Sequence, residues 1–361
     1  MNRRKFFMSS IAVLAVRRPF MQRTPRVSTL IGTGVAGRVR SKEPAATAQL
    51  DNPFGVLIGP DGALWFCEYG NHTVMRFDTR SKMVELIAGN GTGAYRGDGG
   101  PAMEASLNRP HEIRFDRSGN IFVAERDNHV IRKIDARTRR ISTFAGTGEA
   151  GFGGDGGPAE KAQLRQPHSI AFSPDGNLLI CDIGNHRIRS VDMKTGVIDT
   201  FSGTGERVVT PDGSPVRGTP LNGPRSIDVG PDGTIYLVLR EGNSVMTIDP
   251  KTQRYKRLAG TSQTGYTGDG GPALEATFNG PKGIAYSRDG YLYISDTENH
   301  VVRRVDLRNG IISTVLGTGQ RGDGPDGDPL KCKLARPHGI YFHHGTLYVG
   351  DSETHRIRIV M

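Results

Sequence analysis

Cysteine is scarce in this sequence. The three present, Cys67, Cys181 and Cys332, are too few and too scattered for a disulfide framework and have no metal-type spacing, so they read as free or buried thiols. Long apolar runs are missing as well: beyond the N-terminus no stretch reaches 18 apolar residues, so the body of the chain offers no membrane-spanning helix. Helix-period stretches are nearly absent. With them goes the strand–helix context that a nucleophile elbow, a phosphate loop or a dinucleotide fingerprint requires, and hydride or phosphoryl transfer is disfavoured. A dense cationic stripe is lacking too. The formal charge is +10, but Arg3, Arg4, Lys5, Arg17, Arg18 and Arg23 face no acid in residues 1–23, so the remainder carries +4. Nucleic acid is not an expected partner on that count.

What is abundant is turn chemistry, with 49 glycines and 21 prolines. The opening MNRRKFFMSSIAVLAV has an arginine pair, two aromatics and a short apolar stretch, the order of an export signal. It resembles a twin-arginine signal, with Arg3-Arg4-Lys5-Phe6-Phe7 at the motif and Arg17-Arg18 after the apolar stretch. Residues 1–26 are therefore expected to be a leader, and the mature protein to be exported to a bacterial periplasm or beyond; a basic tail on a cytoplasmic protein is the alternative.

The rest repeats. One unit recurs six times: a strand, an Asp-Gly or Gly-Asn turn, a strand ending in an acid, Asn-His, a strand, a turn, a strand, and a glycine-rich loop. The acid or its equivalent falls at Glu68, Glu125, Asp182, Leu239, Asp296 and Asp351, spaced by 57 residues and by 55 in the last step. In the third copy, HSIAFSP and NLLICD flank Asp175-Gly176, whose positive φ suits a tight hairpin. A constant period with four short strands per unit predicts an all-β fold, a six-bladed β-propeller over residues 27–361. The sixth copy ends at its third strand, RIRIVM, whereas VSTLIGTG at 27–34 is a spare fourth strand near the start. The N-terminal strand is expected to complete the last blade and hide its edge.

A second ladder lies in the loops: Asp98-Gly99-Gly100-Pro101, Asp155-Gly156-Gly157-Pro158, Asp212-Gly213-Ser214-Pro215, Asp269-Gly270-Gly271-Pro272 and Asp326-Gly327-Asp328-Pro329, with Ser41-Lys42-Glu43-Pro44 as the divergent copy. Glycine conformations and aspartate bonds to the backbone explain a structural turn. A calcium ion, which takes six to eight oxygens, would find one carboxylate per loop, and the structural reading is preferred.

These units, with Asn71-His72, Asn128-His129, Asn185-His186 and Asn299-His300 opening the third strand, resemble NHL repeats. The GTGxxGxxGDGGPA loops make them similar to the bacterial branch of that family. The resemblance covers about residues 27–361 and implies a six-bladed propeller. Related propellers include metal-dependent lyases that cleave peptidyl-hydroxyglycine, lactonases of the gluconolactonase type, strictosidine-synthase-like enzymes and pure interaction domains, so it does not choose a function.

Candidate site residues come from the repeat's own logic. The residue after each inner-strand proline is expected at one mouth of the axial channel: Phe54, His111, His168, Arg225, Lys282 and His338. The hairpin should return Glu68, Glu125, Asp182, Leu239, Asp296 and Asp351 to the same face. Features present in nearly every copy, the five acids and His72, His129, His186, His300 and His355, are best explained as scaffold. The position after proline varies, and blade four departs most, with Arg225 for histidine, Leu239 for the acid and Ser244 for the Asn-His histidine. His111, His168 and His338 could hold a divalent metal such as zinc, with water at an open position. Alternatively each pairs with its own blade's acid, Glu125, Asp182 and Asp351 respectively. Arg225 and Lys282 could grip a ligand carboxylate or phosphate, or be salt-bridged to Asp182 and Asp296. The expectation is a monomeric module that binds a small polar molecule, a peptide or a protein at the mouth; the alternative is a metal-dependent lyase or hydrolase there.

Overall fold

A computed structural model describes residues 24–361, so the expected leader falls almost wholly outside the described residues. The strands form six antiparallel sheets, each four-stranded or four-stranded with one short outer addition. In blade three, Pro167–Phe172, Leu178–Asp182, Arg187–Val191 and Val197–Ser202 run from axis to rim. Inner strands are sandwiched between neighbouring blades, so Leu178–Asp182 is buried along its whole length.

Closure is as expected. The strand Val27–Ile31 pairs antiparallel with Arg356–Val360 and becomes the outer strand of blade six. The Thr29 backbone N–H donates to Asp326 at 2.8 Å, and Arg356 reaches the Gly32 carbonyl at 2.8 Å.

Among the described residues the core is divided into six apolar clusters, and each fills the seam between two neighbouring blades: Phe122, Ala124 and Ile131 of blade two meet Ile170, Leu178 and Ile180 of blade three, for example. This is nearest-neighbour packing of repeats bent into a ring. Among the described residues no helix is long and apolar enough to cross a membrane.

The repeated polar residues tie the blades at the inner turns. His72, His129, His186, His300 and His355 sit in the left-handed region with φ of 51–58°. The Nδ1 atoms of four of them accept the backbone N–H of the next blade, from Arg109, Gln166, Arg336 and Asn52, at 3.1–3.3 Å. In blade four the equivalent is Asn243 rather than Ser244: it has φ 42°, and its side-chain oxygen accepts the Gly280 N–H at 2.9 Å. A short side-chain carbonyl in a left-handed turn does the work of the imidazole.

The loop aspartates are also structural. Asp98, Asp155, Asp269 and Asp326 each bind a guanidinium from the third strand of the blade they border, Arg132, Arg189, Arg303 and Arg358. Aromatic rings at a fixed position in the same loops cover three of these cations: Tyr95 lies 5.3 Å from Arg132, Phe152 5.0 Å from Arg189 and Tyr266 5.5 Å from Arg303.

Candidate functional site

Each inner strand starts at a proline, or just after one in blade five, and the following side chain turns to the axis. Phe54, His111, His168, Arg225, Lys282 and His338 converge there, all more than nine-tenths buried. The ring has two unlike halves. His338 and Phe54 stack with centroids 4.0 Å apart, Phe54 and His111 at 4.7 Å, and His111 meets His168 at 4.3 Å. Tyr69 extends this surface, stacked on Phe54 at 4.6 Å. Arg225 and Lys282 make up the other half.

Above the ring opens a cup of about 580 Å³, lined in part by Tyr69, Arg126, Arg207, Arg240, Arg336 and Glu241. Beneath it the passage narrows to about 30 Å³ beside Glu112, Arg114 and Ser226. Free space of that size admits two or three waters, since about 10–15 Å³ of it holds one. A small ligand therefore fits in the cup and not in the passage beneath it.

The electrostatics follow from burial. The His168 Nδ1–H donates to the Gln166 carbonyl at 2.6 Å and the His338 Nδ1–H to the Arg336 carbonyl at 2.8 Å, leaving Nε2 as the acceptor on both rings. Burial and then the Arg225 charge push His111 and His168 well below the ordinary imidazole range, and burial with Lys282 does the same to His338. All three are neutral at pH 7. Lys282 Nζ donates to Glu298 at 2.7 Å, yet burial outweighs that partner and brings the amine down to about 7. Burial and the nearby Arg240 push Arg225 down to about 9, which leaves it charged. Arg225 has no carboxylate within ion-pair distance among the described residues.

The six residues after proline are brought together as expected; the acids are not. Glu68, Glu125, Asp182, Asp296 and Asp351 have no exposed surface and do not line the cup. Register supplies the reason. Glu68, Glu125, Asp182 and Asp351 pair directly with the prolines Pro53, Pro110, Pro167 and Pro337, and cross-strand partners share a sheet face. The residue after each proline stands at the bulge that follows this pair, which turns its side chain to the axis instead. The acids instead accept backbone N–H groups of the preceding segment, from Asp51, Asn108, Arg165, Asn279 and Ala335, at 2.7–3.0 Å.

Two further expectations fail with them. His111, His168 and His338 do not pair with Glu125, Asp182 and Asp351, and Arg225 and Lys282 are not bridged to Asp182 and Asp296. Nor do the three imidazoles form a metal site: Phe54 is interleaved between His338 and His111, and no group of three His, Cys, Asp or Glu side chains converges among the described residues. The donor set does not fit the metal that the lyase resemblance implies.

Sequence reasoning missed a second variable ring. The residue after the acid reads Tyr69, Arg126, Ile183, Arg240, Thr297 and Ser352, and the first four of these line the cup. The test that singled out the position after proline, variation against a repeating background, would have found it.

Comparison with known proteins agrees with this architecture. The Teneurin NHL domain model matches residues 257–337, and the NHL repeat model matches 164–189 and 334–360. Suppressor of quenching 1 of Arabidopsis thaliana is 30% identical over 269 residues, 71% of this chain and 25% of that one. NHL repeat-containing protein 2 of Gallus gallus is 25% identical over 338 residues, 85% of this chain and 46% of that one. The chain thus spans a quarter to under half of the length of these relatives. Among solved structures, an auxiliary nutrient binding protein from Bacteroides thetaiotaomicron superposes with a TM-score of 0.69 at 14% identity, covering 94% of this chain and 76% of that one. With six closed blades, a left-handed histidine or asparagine at each inner turn and NHL models matching in three places, the chain is an NHL-repeat protein, a six-bladed β-propeller.

Proposed function

We propose that the propeller is a binding module that takes a small polar ligand into the cup at the channel mouth. The observation that carries this is the cup itself, a concavity of about 580 Å³ whose floor is a ring of six side chains of four kinds on an otherwise repeating scaffold. Concave sites with a few convergent polar groups are where small molecules bind. Inner strands buried on both faces hold that floor rigid, which lowers the ordering cost of binding. The similar fold of a nutrient-binding protein is compatible with this role but names no ligand for this chain.

A lyase or hydrolase at the same mouth has less support. It rests on the family resemblance, and the imidazoles do not converge as metal donors. The test is a thermal-shift screen of small polar metabolites followed by crystal structures of the complexes. Ligand density over Phe54, His168 and Arg225 is expected; hits that all settle on the outer blade surfaces or at the opposite mouth would remove the cup from consideration.

A further inference from the structure

Resting on the cup as the binding site, we propose that its ligand is an organic anion, with a carboxylate or phosphate against Arg225 and a flat or apolar body against Phe54 and Tyr69.

Charge alone is weak grounds, because most cations of the cup are already answered. Arg126 pairs with Asp127, Arg240 with Glu241, Lys282 with Glu298, and Arg336 with Glu298 and Glu353. Arg225 differs. It is 94% buried, forms the floor of the cup and has no carboxylate partner among the described residues. An unpaired buried guanidinium is costly, and its planar fork matches a carboxylate or phosphate.

The other half of the ring fixes the rest of the ligand. Tyr69, Phe54, His111 and His338 line it as uncharged rings stacked on one another, and the imidazoles are held neutral by burial and by Arg225 and Lys282. A compact inorganic anion would satisfy Arg225 and leave the aromatic half uncovered. An organic anion satisfies both.

Four probes separate charge from body: benzoate, phenyl phosphate, inorganic phosphate and benzyl alcohol, titrated calorimetrically into wild type, Arg225→Gln, Arg225→Lys and Phe54→Ala. Tighter binding of benzoate identifies a carboxylate source, and tighter binding of phenyl phosphate a phosphate source. Arg225→Gln should weaken the preferred anion at least tenfold, and Arg225→Lys less. Phe54→Ala should weaken it while leaving inorganic phosphate unchanged. Should Arg225→Gln fail to fold, wild-type affinity falling with added salt while benzyl alcohol shows no such dependence reads the same contact. Benzyl alcohol binding as tightly as the anions would overturn the anionic ligand and keep the cup. Inorganic phosphate binding as tightly as phenyl phosphate would overturn the organic body. No binding of any probe, with screening hits elsewhere on the propeller, would overturn the cup reading itself.

Discussion

Arg132 donates to Glu125 at 3.0 Å with neither side chain exposed to solvent. The same guanidinium reaches outward to Asp98 and lies under Tyr95, so one residue spans blade two from inner strand to loop. Blades three, five and six repeat the two ion pairs with Arg189, Arg303 and Arg358, and in blade six Asp323 stands where the ring does. Blade four does not: Leu239 replaces the acid, Met246 the arginine and Val209 the aromatic, all in one blade. The substitutions make physical sense as a set. An acid or an arginine alone would be a stranded buried charge, whereas leucine and methionine together are a packed apolar pair.

Blade four therefore predicts how blade two responds to mutation. Glu125→Leu alone leaves Arg132 with only the exposed Asp98 and should cost about 3–5 kcal/mol. Adding Arg132→Met should recover most of that loss. Urea unfolding of both single variants and the double variant gives the coupling energy directly. Additive losses would mean that the two residues act independently and that the blade-four set is coincidental.

Closure gives a second expectation. Val27 and Ile31 are buried in the seams of blade six, and burying two such side chains contributes roughly 3–6 kcal/mol. A chain starting at Val35 should lose at least that much against one starting at Thr24, because Arg356–Val360 then becomes an open edge as well. Thermal melts with light scattering would show a lower midpoint and earlier aggregation. Equal midpoints would mean that the blade closes without its N-terminal strand.

The fold was legible because a propeller writes its period into the chain. Glycine, proline, Asp-Gly and Asn-His recur at fixed spacing, and the spare VSTLIGTG announces the closing strand. The floor of the cup was legible for the same reason: variation at Phe54, His111, His168, Arg225, Lys282 and His338 stands out against constant neighbours. The acids were misplaced because a hairpin shows which end of a blade a residue reaches but not which face it takes. The pairing of Glu68 with Pro53 decides that, and one residue of register reverses it. Glu298, which answers both Lys282 and Arg336, is joined to Arg336 across blades five and six, and no spacing within a repeat reveals such a contact.

Glu68 offers the last expectation, because among the described residues it is the one inner acid with no arginine. Met75 stands where Arg132 does in the next blade, and Glu68 is bound only by the Asp51 N–H, Asn71 and Thr73. Burial outweighs those hydrogen bonds and pushes its carboxyl up to about 7. A folded-state value above the unfolded one fixes the sign. The folded protein favours the protonated acid, so this contribution is complete below the unfolded value near 4.5 and is lost as pH rises through about 7. Glu68→Gln, a permanently neutral analogue, should therefore gain on wild type by roughly 3 kcal/mol between pH 4.5 and pH 8, following the shift at 1.36 kcal/mol per pH unit. Chemical denaturation of both proteins across that range measures the difference. A constant difference would mean that Glu68 is ionised in the fold throughout, with its hydrogen bonds, not burial, in control.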